Sequence, residues 1–470
     1  MSRRKSKGII HFMEEITKES PRVIVSDFAA DIERTKTLGP KPETTIINFR
    51  NQKRDKIESR VYSVPIELLR FRKENGRIAS DVSSYEKEHG VIIENDAEGQ
   101  KVLAGFLKSK DPDQTDILKK SVMQTGQDEP AIITCDGFLI NGNRRRLVLG
   151  MLLEETNKAE FSRMKVVILP GESGEGGPPT IKEIEQIENR YQSHKDGKSE
   201  YSRFDKALST RRKMGLGLSL EELLRDDPVH SGKTPIELKK EIKKYQEEYL
   251  EPLECADRYL ASIGREGMYN LISSNVGGKE NRWEAFIDYS KLYRKLSNPT
   301  ERAKLGVEEN DVAKIEAAVF NLIRVRDFSN IGMKLHMLVR DIPKYLKHDL
   351  GKKEIFSISR LPEVEVEKAQ TAEDADKKWI KKNHTQTVKS VLKAKEYYDH
   401  KDDQEKPIVL LKQALDKLNH ARMDSENVGI GDLTEAIVIA EDIRNRADEL
   451  KREFYSHQKK LQNLVNKNSR

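Results

Sequence analysis

The sequence predicts an α+β protein in which a small mixed domain is followed by mostly α-helical domains. Between residues 131 and 169, short apolar runs alternate with turns, which is typical of strands and a connecting helix. After the glycine- and proline-rich segment at 171–179, apolar residues recur at helical spacing. Charged residues make up 35% and aromatic residues 6% of the 470 residues, which favours long solvated helices over one large core.

The mixed domain is predicted at residues 61–170. The segment VYSVPIELL (61–69) begins as a strand, and 116–124 is predicted to be a helix. The remaining elements are strands at 131–134, 138–140 and 164–169 and a helix at 142–156. The side chains expected on the buried side of the first helix are Ile117, Leu118, Val122 and Met123.

The rest of the chain divides by composition. Residues 1–60 lack periodicity and contain three prolines, so they are predicted to be a basic, loosely ordered arm with one short helix at 10–18. Residues 81–112 are charged and mixed, and no element is predicted there. Helical regions are predicted at 180–250, which contains a helix-turn-helix, at 251–361, and at 377–470. The last of these is a candidate for oligomerisation, because its apolar residues share one helix face: Leu433, Ala436, Ala440, Ile443, Ala447, Leu450, Phe454.

Composition excludes several classes of protein. No run approaches the roughly 20 apolar residues that span a bilayer. Two cysteines, Cys135 and Cys255, are too few for a disulfide scaffold or a four-cysteine zinc site. The basic N-terminus lacks an apolar signal-peptide core, so a cytoplasmic protein is expected. The net charge of +6 is a weak indication of nucleic-acid binding at this length.

Residues 142–146 indicate an anion-binding site. Gly142 permits a tight turn, and the helix that follows begins with free N–H groups at the positive end of its dipole. Arg144, Arg145 and Arg146 oppose that dipole, which is unfavourable unless an anion binds there. The alternative is that they pair with nearby carboxylates, namely Asp136, Glu154 or Glu155.

An arginine-containing segment and three short motifs follow one another in a recognisable order between residues 61 and 192. After the first strand come Asn75–Arg77, then a turn with Gly126, Gln127 and Pro130, then Gly142, Arg144 and Arg145, and finally Glu188 and Asn189. This succession resembles the N-terminal domain of the ParB/sulfiredoxin superfamily. The resemblance implies a ParB/sulfiredoxin-like fold for the mixed domain.

The resemblance also implies a ligand, because in the ParB branch this domain binds CTP with Mg²⁺ and slowly hydrolyses it. The implied nucleotide contacts are Gln127, Gly142, Asn143, Arg144, Arg145, Glu188 and Asn189, with Glu188 and Asn189 near the metal. Asn143 stands where the family commonly has Glu, and a neutral amide cannot act as a base, so at most a weak CTPase is expected. Sulfiredoxin chemistry is excluded, because Asn143 also occupies the position of its catalytic cysteine.

The helical region after residue 197 is a candidate DNA-binding domain. Helices predicted at 218–227 and 234–249 form a helix-turn-helix, and both begin with a Ser/Thr-x-x-Glu capping box. The second helix has an apolar stripe on one side and lysines on the other, which suits phosphate contact. The candidate DNA-binding residues are Lys239, Lys240, Lys243, Lys244, Arg211 and Arg212. The alternative is a solvated face in which Glu237, Glu241, Glu247 and Glu248 compensate the lysines.

The sequence therefore predicts a ParB-like DNA-binding protein, gated by a nucleotide (CTP) at the Gly-x-Arg-Arg turn. Homo-oligomerisation, most simply as a dimer, and association with the nucleoid are expected. Two alternatives remain open: a nuclease or nucleotide-dependent phosphotransferase of the same superfamily, and a ligand-free interaction scaffold of a mobile element.

Overall fold

The computed structural model describes residues 21–39, 43–47, 49–50, 58–193, 201–230, 232–273, 281–364, 371–420, 426 and 428–468. The chain divides into two compact units, Met1–Ala394 and Lys395–Arg470. The strands are β1 (Thr44–Ile46), β2 (Glu58–Pro65), β3 (Ala131–Ile133) and β4 (Arg163–Ile168).

Most of the described chain is helical. The helices up to the end of the mixed domain are α1 (Ser26–Thr35), α2 (Ala79–His89), α3 (Ala97–Lys110), α4 (Pro112–Thr125) and α5 (Asn143–Thr156). Then follow α6 (Ile181–Ser193), α7 (Arg203–Gly215), α8 (Leu220–Arg225), α9 (Pro235–Tyr245), α10 (Glu251–Ser262), α11 (Asn270–Ser273) and α12 (Asn281–Ser297). The last are α13 (Pro299–Lys304), α14 (Val312–Val325), α15 (Leu335–Leu346), α16 (Asp349–Ile358), α17 (Ala372–Leu418) and α18 (Leu433–Asn468).

A four-stranded mixed sheet organises the N-terminal part, so the predicted α+β class is confirmed. Its order is β1-β2-β4-β3, with β3 parallel to β4 and the other neighbours antiparallel. Alternate residues of the strands face opposite sides of the sheet. One side, including Val64 and Val166, packs with residues of α3 and α5, whereas the other, including Val61 and Val167, packs with α6. The sheet thus holds α5 and α6 on its two faces.

Several expected elements differ in the structure. The part of residues 1–60 that is described contains α1 and β1, and Ile32 of α1 is buried in the sheet core, so this part is not a loose arm. The helix expected at 10–18 lies outside the described residues. Residues 81–112, for which no element was predicted, form most of α2 and all of α3. Residues 138–140 make isolated bridges rather than a strand, and in α4 Ile117 and Met123 are exposed instead of buried.

The helix-turn-helix prediction falls on α8 and α9. Both predicted capping boxes are present, Ser219 with Glu222 and Thr234 with Glu237. The two helices share a small apolar cluster around Leu224 and Leu238. The second helix is α-helical only to Tyr245, which is earlier than predicted. Residues Gln246–Leu250 form a π-helical segment that leads directly into α10.

Candidate functional site

A cavity of about 410 Å³ lies among α4, α5 and the C-terminal end of α6. It brings together the Asn75–Arg77 segment, the turn after α4 and the N-terminus of α5, which are far apart in the chain. Its polar lining includes Asn75, Arg77, Gln127, Asp128, Glu129, Asn141, Asn143, Arg144, Arg145 and Gln192. Its apolar lining includes Ile117, Leu118, Val122 and the ring of Tyr191. Of the seven residues predicted to contact nucleotide, five line this cavity: Gln127, Gly142, Asn143, Arg144 and Arg145.

Helix α5 begins at the wall of this cavity. Gly142 precedes it with φ of +80°, in the left-handed region. A Cβ atom at this position would lie 2.7 Å from Cβ of Ala131 and 3.1 Å from Cε of Met164, so both the conformation and the packing require glycine. No side chain caps α5, and its first turn contains no acidic residue. The positive end of the helix dipole is therefore not neutralised within the helix.

Two arginines on the cavity wall share one carboxylate. Arg77 Nη1 and Arg144 Nη2 lie 3.1 Å and 3.2 Å from the same Oδ2 of Asp111. Burial and the charge of Arg77 both lower the pKa of Arg144, against the opposing effect of Asp111. Two guanidinium groups therefore converge on one carboxylate oxygen at this side of the cavity.

The other two arginines of the run point to different places. Arg145 donates to the backbone oxygen of Glu129 and lies 3.4 Å from the Glu129 carboxylate. Burial lowers the pKa of Arg145. Arg146 lines a separate cavity and lies 5.5 Å from the ring centroid of Phe71.

The carboxylates suggested as alternative partners of the arginine run are engaged elsewhere or make no contact with it. Asp136 pairs with Arg22 at 2.6 Å, and Glu155 pairs with Lys119 at 2.5 Å. The partners that Arg144 and Arg145 do have, Asp111 and Glu129, are distant from them in sequence. Two of the three arginines therefore do pair with carboxylates, as the alternative held, but with Asp111 and Glu129 instead of Asp136, Glu154 or Glu155.

Gln127 positions the cavity wall. Its Nε2 donates to the backbone oxygens of Glu129 (2.8 Å) and Lys165 (2.7 Å), and its Oε1 accepts from Lys165 N at 2.7 Å. These bonds hold the turn after α4 against β4. In this structure Gln127 consequently stabilises the site rather than offering free polar atoms to a ligand.

Glu188 and Asn189 do not line the cavity. The Glu188 carboxylate is buried and accepts from Arg72 Nη2 (2.9 Å), Gly76 N (2.9 Å) and Tyr201 OH (3.1 Å). Asn189 Nδ2 donates to the backbone oxygen of Leu223 at 2.9 Å. Their oxygens are used inside the protein, so these two residues do not fit the predicted Mg²⁺ site. Within the described part of the chain, no group of three or more His, Cys, Asp or Glu side chains could hold a metal ion.

The same helix nevertheless contributes to the cavity one turn later. Tyr191 and Gln192 of α6 line it, as do Asn75 and Arg77. These four were not among the predicted site residues, although Asn75–Arg77 was part of the motif order and could have been included. Residues three or four positions apart on a helix share a face, so Glu188 differs from Tyr191 and Gln192 in its place along α6. It lies one turn earlier, where Arg72, Gly76 and Tyr201 surround its carboxylate.

The four lysines of α9 are all exposed, and none forms an ion pair within 4.0 Å among the residues that the structure describes. Three of the four glutamates proposed to compensate them make other contacts. Glu237 caps the helix, Glu241 pairs with Lys233 at 2.7 Å, and Glu247 pairs with Arg294. Ile236, on the same helix, is 71% exposed. We call the exposed side of α9 that carries Lys239, Lys240, Lys243 and Lys244 the lysine face.

The other two predicted DNA contacts form ion pairs within the protein. Arg211 pairs with Asp257 and donates to Tyr269 OH at 2.7 Å. Arg212 donates to Glu185 Oε2 at 2.5 Å and to Glu74 O at 2.8 Å. Burial of the opposing Glu185 makes the second network part of the core, so Arg212 is not placed to contact DNA.

Scanning protein-family models, curated proteins and solved structures gave no significant match to the chain. Among the described residues, no helix has the length and hydrophobicity needed to cross a membrane.

Proposed function

We propose that the protein is a ParB-like DNA-binding protein that binds a nucleoside triphosphate, CTP by its resemblance, in the cavity at the N-terminus of α5. One observation supports this most: three motif segments that the resemblance put in order along the sequence line one cavity in the structure. Sequence order does not require this proximity. We also propose that the mixed domain is related to the ParB/sulfiredoxin superfamily.

Two sides of the cavity differ in polarity, and together they match the two ends of a nucleotide. The uncapped start of α5, Arg144 and Arg77 form a positive side that suits phosphate oxygens. Ile117 and Leu118 form an apolar side that suits a ribose or base, and Ile117 is 58% exposed there without a ligand. This combination favours a nucleotide over inorganic phosphate.

Hydrolysis is not part of the proposal. Asn143 cannot act as a general base, and its Oδ1 is buried without a hydrogen-bond partner among the described residues. Glu188, the acidic residue expected near a metal, is held by Arg72, Gly76 and Tyr201. We therefore expect nucleotide binding to act through occupancy, with slow or no turnover.

Helix α6 supplies a physical route for gating. Its last turns line the cavity through Tyr191 and Gln192. The adjacent residues contact the start of the DNA-binding region: Asn189 donates to Leu223 O of α8, and Arg190 Nε lies 2.9 Å from Asp226 just after α8. A ligand that moves Tyr191 or Gln192 would shift the residues that hold α8 and α9.

The nucleotide half of the proposal is tested by calorimetric titration of the full chain with CTP, ATP and GTP, each with and without Mg²⁺. Arg144→Ala and Arg145→Ala should each weaken binding roughly tenfold to a hundredfold, since each removes a charge-assisted contact. Arg146→Ala is the matched control, because Arg146 lies next in the chain but lines a different cavity. No saturable binding of any nucleotide, or equal losses in all three variants, would contradict the site.

The DNA half is tested by measuring duplex affinity against salt concentration. Replacing Lys239, Lys240, Lys243 and Lys244 by alanine should weaken binding at low salt and flatten its salt dependence, because fewer counterions are released. The matched control replaces four lysines at the same spacing on α17, namely Lys377, Lys378, Lys381 and Lys382, which are also exposed. Equal effects of the two quadruple variants would remove the lysine face from the proposal.

A further inference from the structure

The second unit has too little internal packing to account for its own stability. Among the described residues of 407–463, no side chain is buried. Isolated helices derive little stability from propensity alone and depend on packing of an apolar face. The unit contains such a face, because a cavity of about 480 Å³ between its two helices is lined by Leu411, Leu450 and Phe454. The part of this apolar face that the two helices leave exposed requires a further packing partner.

One row of the exposed apolar residues of α18 follows a seven-residue repeat. Leu433, Ile443, Phe454 and Leu461 are 38–50% exposed, and with half-buried Leu450 they occupy the two apolar positions of successive heptads. We call this row the α18 seam. A seam of this kind packs against another helix, and the contact with Leu411 of α17 leaves it partly open.

Charge along α18 indicates which partner covers the seam. From Leu433 to Glu449 there are five acidic residues against two basic ones, whereas from Leu450 to Asn463 there are four basic residues against one acidic one. Two copies of this helix side by side in the same direction would place like charges together. Two copies in opposite directions place each acidic half against a basic half, with Leu450 near the two-fold axis.

We infer that the α18 seam is the interface of an antiparallel homodimer, in which two copies of the second unit combine into a four-helix bundle. A self-complementary charge pattern and a regular apolar repeat on one helix both point to a second copy of this chain. This inference is independent of the nucleotide and DNA proposals, since it rests on residues of the second unit alone.

Light scattering of the full chain tests the dimer. The wild-type protein should have a mass near twice the 54.0 kDa of one chain. Ile443→Asp should give a monomer, because it puts a charge in the seam. Asn445→Asp adds the same charge at an exposed position off the seam and should leave the dimer intact. A monomeric wild-type protein, or equal loss in both variants, would overturn the interface.

Charge reversal tests the direction. Lys459→Glu combined with Lys460→Glu should weaken the dimer at least tenfold in the antiparallel arrangement, since the substituted segment is then acidic and still faces the acidic half of the other copy. Adding Glu441→Lys and Asp442→Lys should restore it. In a parallel dimer each substituted residue faces its own copy, so like charges meet before and after the change and the dimer should be affected little. An undiminished dimer, or no rescue by the second pair of substitutions, would overturn the antiparallel arrangement.

Discussion

Glu94 fixes the loop that carries Arg77 to the cavity. Its carboxylate accepts a hydrogen bond from Lys73 N, and its backbone oxygen accepts from Gln100 at 2.8 Å. Burial, reinforced by the charge of Glu74, raises the pKa of Glu94 from 4.5 to about 7. The folded protein thus holds a proton on Glu94 at pH values where the unfolded chain has lost it.

This pKa shift predicts how stability depends on pH. A raised carboxyl pKa contributes stability that is fully present below about pH 4.5 and is lost as the pH rises through about 7. Glu94→Gln, which stays neutral and can still accept from Lys73 N, should remove this decrease. The free energy of unfolding, measured by denaturant titration between pH 4.5 and 8, should fall less steeply in the variant. The exposed Glu98→Gln is the control, and identical slopes for all three proteins would contradict the prediction.

The sequence could not predict which side chains of the site contact one another. The positive run at 144–146 is visible directly, but Asp111 and Glu129 become its partners only through the packing of α4 against α5. For the same reason Glu188 was assigned to a ligand site, whereas the fold places Arg72 and Tyr201 beside it. Contacts between residues distant in the chain depend on the tertiary structure, which local patterns do not encode.

The turn before α5 determines the geometry of the cavity wall. Gly142→Ala should destabilise the protein by about 2 kcal/mol or more, because it forces a side chain into the left-handed region and against Ala131. Gly105→Ala in α3 is the matched control. Its Cβ would meet nothing within 4 Å, so it should stabilise by roughly 0.5–1 kcal/mol. Thermal or denaturant unfolding measures both, and equal changes would contradict this account of the turn.

Elements with strong local signals were predicted well, and those without were missed. Both capping boxes and the helix after Gly142 follow from short-range chemistry. Helix α3 was missed because residues 81–112 are charged and mixed overall, although Val102, Leu103, Phe106 and Leu107 recur at helical spacing and Leu103 and Leu107 are fully buried. Strand β1 has three residues and owes its existence to pairing with β2, which the sequence of residues 1–60 does not show.

At the scale of the whole molecule, the proposals assign one role to each part. Nucleotide binding is proposed for the mixed domain, DNA binding for the lysine face of α9, and dimerisation for the second unit. Helix α6 links the first two roles, since it contacts both the cavity and α8. The ParB/sulfiredoxin relationship remains a prediction from the motif order, which the shared cavity supports.

The most direct test of the central proposal is a crystal structure of the full chain grown with CTP. The account predicts density for the phosphates within hydrogen-bond distance of the backbone N–H groups of residues 143–145 and of the Arg144 guanidinium, with the base or ribose toward Ile117. Nucleotide bound elsewhere, or an empty cavity at a CTP concentration that saturates binding in solution, would contradict it.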